Sequence, residues 1–372
     1  MTANIHCPMI HGGLTINLKN SDNKIFINQC CLRFEKNEVS DIASEWNGKK
    51  FSQLRELNNQ NLWDSGCWMC QGNELAGIGS FRTGTLEKFG YHKNLSGPQR
   101  IDLMFDIGCN LACRSCGPDV STFWQKHLKE NNIPFIAPGP ETRVDKMIDI
   151  LKTLDLSNLE MVVFCGGETL LGRGHWQVAE AIANMVPNAK EKITLSFQTN
   201  GTQPISEKNY KIIERFQLVK LNISLDGVGE RFNYLRWPAK WDQVIENILN
   251  LRETLPVNVM FLIEETMSIF NLYYQNELDS WAKQNFSTNR LGDIVNHSRH
   301  SAKGTFSLNN LSSEYVKFLQ GTNLQHLIHK NWKENPTGIA KMINEIQKFD
   351  AIRGEDWRKT FPEVAALYSK FL

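Results

Sequence analysis

The chain has 372 residues, of which 41% are apolar and 22% charged, with a formal net charge of +1. That length and apolar content suit a large buried core. The balanced charge gives no electrostatic footprint for nucleic acid or a membrane surface. No apolar run reaches the length of a bilayer span, and no segment has the basic-then-apolar order of a signal peptide. The expectation is a soluble, cytoplasmic protein with neither membrane nor nucleic-acid partners.

In chain order, residues 1–97 hold five of the nine cysteines, Cys7, Cys30, Cys31, Cys67 and Cys70, among short strand-like runs at 15–18 and 24–28. They read as a small separate cysteine-rich domain. From residue 98 to 300 strand and helix patterns alternate. Strands are expected at 101–108, 161–167, 192–201, 219–227 and 257–265, with a weaker sixth at 290–296. Helices are expected near 119–130, 143–153, 175–186, 206–216, 241–254 and 271–284. Helices of that length between strands imply right-handed crossovers and a parallel sheet, with functional loops at the strand C-termini. Residues 301–372 contain no cysteine and show apolar helical faces near 314–329, 338–349 and 362–371.

The chemistry concentrates at the strand ends. Cys109, Cys113 and Cys116 follow the first strand in the run Gly-Cys-Asn-Leu-Ala-Cys-Arg-Ser-Cys. Three thiolates can hold three irons of a [4Fe–4S] cube and leave the fourth open to a small molecule, whereas a fully ligated cube passes electrons. Zinc fits this triple poorly, because it takes four ligands, commonly as two Cys-x2-Cys halves. Gly166-Gly167-Glu168 closes the second strand, Asn200-Gly201 the third, and Ser224-Leu225-Asp226 the fourth. All these motifs fall at the same end of the expected sheet. Clustered cysteines in a large, reduced chain favour ligation over disulfides. Cys165 reads as a buried structural thiol. Arg231, Arg236 and Trp237 read as a salt-bridged lead-in to a helix.

Cys109-x3-Cys113-x2-Cys116 and the strands after it resemble the radical S-adenosylmethionine enzymes over roughly residues 98–300. The resemblance implies an α/β fold: a partial (β/α)6 barrel with a small N-terminal cluster domain (1–97) and a helical C-terminal extension (301–372). It implies S-adenosylmethionine chelated by the open iron and cleaved to a 5′-deoxyadenosyl radical that abstracts hydrogen from substrate. In this family Glu168 would accept from the methionine ammonium, with Gly166 and Gly167 making room for the ligand. Asn200 and Ser224 would hold the ribose or carboxylate, and Asp226 the ribose or the loop. Ser115 stands where the family usually has an aromatic residue, and Glu264 and Glu265 lack the glycine-rich pattern often found after the fifth strand. The N-terminal cysteines resemble the auxiliary-cluster domain called twitch, placed before the barrel instead of after it. Cys7, one of Cys30 and Cys31, and the pair Cys67 and Cys70 would make four ligands for a second [4Fe–4S] cluster, with a turn at Asp22-Asn23. A structural zinc knuckle suits the same thiols. Asn73, Glu74, Gly77, Ser80 and Arg82 would link the two domains. The implied partners are an electron donor such as flavodoxin or ferredoxin and a substrate that is a peptide or a small molecule. The alternative outside catalysis is an iron–sulfur or zinc protein for electron transfer or assembly.

Overall fold

The computed structural model describes the chain except residues 1–4, 19–23, 34, 36, 76, 78, 94, 137–142, 287–293, 302–303 and 329–331, and for residues 294–301 and 304 it describes the backbone alone. The expected turn at Asp22-Asn23 lies outside the described residues.

Among the described residues nine strands form one sheet: β1 (Gly13–Asn17), β2 (Ile25–Asn28), β3 (Glu38–Val39), β4 (Arg100–Met104), β5 (Met161–Cys165), β6 (Thr194–Thr199), β7 (Leu218–Ser224), β8 (Val259–Met267) and β9 (Ile294–Ser301). Their spatial order is β3-β2-β1-β4-β5-β6-β7-β8-β9. The run from β4 to β9 is parallel throughout, and each strand neighbours the next in sequence. Such neighbours need a crossover between them, and helices such as Gly174–Met185 and Trp241–Thr254 provide it. The last strand lies a few residues later than expected, at 294–301 instead of 290–296.

The N-terminal residues do not stand apart. β1 pairs parallel with β4, from Gly13 opposite Arg100 to Asn17 opposite Met104, and β2 and β3 continue outward antiparallel. The expected separate domain is therefore joined to the rest by backbone hydrogen bonds. Its Asn- and Gly-rich segments also contain helices at Lys49–Asn59, Trp68–Leu75 and Phe81–Phe89, which the short strand-like runs did not suggest.

The two faces of the sheet differ in chemistry. Leu195 and Phe197 of β6 and Leu221 and Ile223 of β7 are buried under the helices, where Phe197 packs against Phe164 and Trp176 with ring centroids 4.9 Å apart in each case. The residues between them point to the other face and are polar: Gln198, Lys220, Asn222 and Ser224, in register with Glu264 of β8. A second apolar cluster joins the C-terminal helices to the Ile269–Tyr274 segment after β8. Among the described residues no helix is long and apolar enough to cross a membrane.

One histidine in this core gives the fold a pH dependence. His175 is 1% exposed and neither ring nitrogen has a hydrogen-bond partner. It packs on Phe105 and Phe164, and burial lowers its pKa to about 4. The unfolded chain binds its proton near pH 6.5, so stability is full above that value and falls as the pH drops towards 4. The two pKa values correspond to roughly 3 kcal/mol lost across that window. His175→Phe should flatten this part of the acid limb in urea denaturation at pH 7 and pH 4.5. An unchanged pH slope would contradict it.

Candidate functional site

The three cysteines lie on a loop that leaves β4 and is fastened along its whole length. Asp106 Oδ1 accepts from the Gly108 amide at 2.7 Å. The Cys109 amide donates to Thr122 Oγ1 at 3.1 Å, Ser121 Oγ donates to the Leu111 carbonyl at 2.6 Å, and Trp124 Nε1 donates to the Cys113 carbonyl at 2.9 Å. On the opposite side the Ala112 and Arg114 amides donate to the carbonyls of Trp237 and Leu235, each at 2.8 Å. Cys113 is buried, Cys109 half-buried and Cys116 exposed, and none forms a disulfide. Burial pushes the Cys109 thiol up to about 12. The Cys113 thiol is also raised, by its hydrogen bond to Cys116 and by burial. Such thiols are protonated at neutral pH and give up the proton to a bound metal.

Gly166 and Gly167 lie against the backbone of the cysteine loop. The Gly167 amide donates to the Asp106 carbonyl at 3.2 Å and the Glu168 amide to the Gly108 carbonyl at 2.7 Å. A Cβ on Gly167 would lie 2.2 Å from the Gly108 carbonyl oxygen, and one on Gly166, where φ is +132°, 2.2 Å from that of Asp106. The space these glycines leave is filled by the backbone that leads into Cys109.

Glu168 is 1% exposed and already engaged. Its Oε1 accepts from Thr199 Oγ1 at 2.7 Å and the Leu170 amide at 3.0 Å, and its Oε2 accepts from the Asn200 amide at 2.6 Å. Burial raises its carboxyl pKa against these three donors. An ionised carboxylate has about four acceptor positions, so one remains. Asn200 is tied to the cysteine loop: its Nδ2 donates to Asn110 Oδ1 at 3.0 Å, while Asn110 Nδ2 donates to Thr202 Oγ1 at 2.9 Å. The ends of β5 and β6 and the cysteine loop thus form one polar lattice.

Asp226 is engaged by neighbouring residues. Arg236 Nη2 donates to its Oδ1 at 2.8 Å and Nε lies 2.7 Å from its Oδ2. The Thr266 amide also donates to Oδ1, at 2.9 Å. This fork occupies the carboxylate expected to hold the ribose or the loop. Arg236 Nη1 sits 4.0 Å from Cys113 Sγ, so a buried cation borders the thiol. Both arginines of the expected lead-in are salt-bridged, Arg231 to Glu277 at 2.9 Å and Arg236 to Asp226. Ser224 faces the polar side of the sheet opposite Glu264. Burial pushes the Glu264 carboxyl up to about 7, whereas Glu265 is buried on the other face and accepts from Gln275 and Asn271.

Of the N-terminal cysteines, Cys7, Cys30, Cys67 and Cys70 line one cavity with Ile10, Leu32 and Phe81. Cys31 is exposed and is not part of that lining; its electrostatic neighbours include Arg100 and Cys165. Arg33 Nη1 stands 3.8 Å from Cys67 Sγ and pairs with Asp64 at 2.5 Å. Glu74, Ser80 and Arg82 do not bridge to the parallel strands. Arg82 makes a fork with Glu74 at 2.8 and 2.7 Å and donates to the His6 carbonyl, and Ser80 donates to Glu74. Among the described residues no three His, Cys, Asp or Glu side chains converge as a set for a metal ion. Thiolates on a cube bind different irons and need not meet at one point. Cys7 caps the short helix Pro8–Gly12 that leads into β1, and Cys30 follows the end of β2 that pairs with the start of β1, whereas the barrel-side cysteines follow the end of β4. The two sets therefore occupy opposite ends of the same strands.

Arg33 and Glu264 are the site residues that sequence reasoning left without a role, and for Arg236 it missed the neighbouring cysteine. The signal available for each was a charged residue within or just after an apolar strand or beside a cysteine, which many surface positions share.

A family model described as Radical SAM superfamily matches residues 105–271. Over that span the chain is similar to the radical S-adenosylmethionine proteins, a family built around a [4Fe–4S] cluster and S-adenosylmethionine. Among solved structures, native anSMEcpe with bound AdoMet is 19% identical at a TM-score of 0.39, covering 69% of this chain and 62% of that one. Streptococcus suis SuiB bound to precursor peptide SuiA is 13% identical at a TM-score of 0.38, covering 94% of this chain and 74% of that one. The chain thus spans less than two thirds of the length of anSMEcpe. No curated protein sequence matches it.

The glycine contact yields a test. Gly167→Ala places a methyl where the Gly108 carbonyl oxygen stands, so one backbone must move. Strain of this kind costs on the order of 1–3 kcal/mol. The variant should melt at lower temperature and hold less iron than wild type after anaerobic reconstitution. Wild-type melting and iron content would refute the contact.

Proposed function

We propose that this protein is a radical S-adenosylmethionine enzyme in which Cys109, Cys113 and Cys116 hold three irons of a [4Fe–4S] cluster and S-adenosylmethionine takes the fourth. The observation that carries the reading is the single loop that presents three thiols while its backbone is locked to the ends of β5 and β6. When bound, the cluster supplies the electron that cleaves the sulfonium and releases the 5′-deoxyadenosyl radical that takes hydrogen from substrate. The six parallel strands β4–β9 support a partial barrel within a 98–300 unit, flanked by a 1–97 cluster unit and a 301–372 extension.

The residues divide the work by what they already touch. Glu168 keeps one acceptor position for the methionine ammonium, a charge-assisted contact. Asn200 holds the cysteine loop against β6 and reaches the ligand from there. Ser224 and Glu264 share the polar face, where Glu264 is placed to hold or take a proton at its carboxylate. Asp226 acts through Arg236, whose guanidinium favours the thiolate form of Cys113.

The four thiols Cys7, Cys30, Cys67 and Cys70 suit a closed second [4Fe–4S] cluster. Cys30, the member of its pair that lines the cavity, is the fourth ligand. Cys31 is free to face the sheet. The substrate is a peptide or a small metabolite, and a flavodoxin- or ferredoxin-like donor supplies electrons.

Reconstituted protein should bind about eight irons per chain if both sites hold cubes. With dithionite and S-adenosylmethionine it should release 5′-deoxyadenosine, and a Cys109→Ala, Cys113→Ala, Cys116→Ala triple variant should not. Release by the triple variant would sink the assignment. Cys30→Ser should lose the second cluster and Cys31→Ser should keep it; zinc in place of iron at the N-terminal site would remove the second-cluster reading.

A further inference from the structure

The C-terminal segment lies beyond the matched domain yet reaches the cysteine loop. Helix Pro336–Arg353 stops at Gly354, where φ is +67°. The residues around that stop close on Asp350. Its Oδ1 accepts from Arg114 Nη2 at 2.6 Å and from the Tyr234 hydroxyl at 2.7 Å, and its Oδ2 accepts from the Trp357 amide at 2.8 Å. Glu355 Oε2 accepts from the same Arg114 nitrogen at 2.5 Å. The Arg114 guanidinium lies 4.1 Å from the centre of the Tyr234 ring. Arg353 Nη2 donates to the Ala112 carbonyl at 3.0 Å, with its guanidinium 4.5 Å from the Trp237 ring and 4.8 Å from that of Trp124.

These contacts fall on the residues either side of Cys113. Ala112 precedes it and is held by Arg353; Arg114 follows it and is held by Asp350 and Glu355. The Ala112 and Arg114 amides and the Cys113 carbonyl already have partners in Trp237, Leu235 and Trp124. The backbone at the buried cysteine is thus gripped from three directions. Arg114 and Asp350 are 3% and 6% exposed. A buried ion pair is a weak way to add stability, because desolvation opposes the attraction; what it supplies here is a defined geometry.

We propose that residues 350–357 are a positioning element for the S-adenosylmethionine site, in which Arg353, Asp350 and Glu355 fix the depth and orientation of Cys113 through Ala112 and Arg114. The inference rests on the radical S-adenosylmethionine reading. Arg114, Arg353, Asp350 and Glu355 are positioning residues, since none is argued to touch the cofactor.

The test uses full-length protein, anaerobically reconstituted, as wild type and as Arg114→Met, Arg114→Lys, Glu355→Gln and Arg358→Ala. Arg358 is exposed in the same segment and pairs with Asp356, so it is the control. The readouts are the electron paramagnetic resonance spectrum of the reduced cluster before and after S-adenosylmethionine, the dissociation constant from that titration, and iron per chain. Wild type and Arg358→Ala should show the same ligand-dependent spectral change. Arg114→Met should bind S-adenosylmethionine at least tenfold more weakly with an altered spectrum, while iron at the N-terminal cysteines is retained. Arg114→Lys should recover part of the affinity. Glu355→Gln, which removes one charge at a half-buried position, should shift the spectrum in the same direction and decides the matter if Arg114→Met does not fold. Wild-type affinity and spectrum in the folded variants would overturn the proposal, and so would equal loss of iron from both sites. Absence of any response in wild type would instead overturn the underlying reading.

Discussion

The arrangement of the site depends on two strand ends meeting backbone to backbone. Residues 166–168 after β5 lie against residues 106–108 after β4 with no side chain between them. Everything nearby takes its position from that contact. Glu168 is delivered under Thr199 and the Asn200 amide, Asn200 reaches Asn110, and Asn110 sits between Cys109 and Cys113 in the loop. A single methyl at Gly167 would separate the pieces, because hard-sphere exclusion at 2.2 Å has no soft alternative.

The second constraint is charge in a buried place. An isolated guanidinium is costly away from water, and the three beside or next to a cysteine each have a carboxylate: Arg236 with Asp226, Arg33 with Asp64, and Arg114 with Asp350 and Glu355. The pairs keep the cations buried while leaving N–H groups near sulfur at Cys113 and Cys67. Hydrogen bonds to sulfur are one of the quantities that set the potential of an iron–sulfur cluster. Each cysteine set thus has a carboxylate-paired guanidinium beside one of its sulfurs.

What the sequence made legible was local. Cysteine spacing, strand periodicity and the Gly-Gly-Glu word are short-range patterns, and β4 to β8 lie where periodicity placed them. The roles of partners distant in sequence were not legible. Asp226 looked free because Arg236 reads as part of the next helix, and Arg114 gave no sign of a carboxylate 236 residues later. The glycines were recognised as a place of close approach, yet sequence could not say whether a ligand or another backbone approached. That Cys30 lines the cavity while Cys31 is exposed follows from the turn after β2, which periodicity does not reveal. The N-terminal helices were missed because Asn and Gly reduce helical propensity, and packing against β1 and its neighbours overrides that weak preference.

The parallel pairing of β1 with β4 turns a strand into a ruler. Five residue pairs, Gly13 with Arg100 through Asn17 with Met104, run between the end that carries the N-terminal thiols and the end that carries the Cys109 loop. At about 3.3 Å per residue that is roughly 17 Å of stiff, hydrogen-bonded backbone before the loops are added. Hinge motion between the N-terminal strands and the parallel run would have to break this ladder, so the two sets of thiols are tied to one continuous sheet.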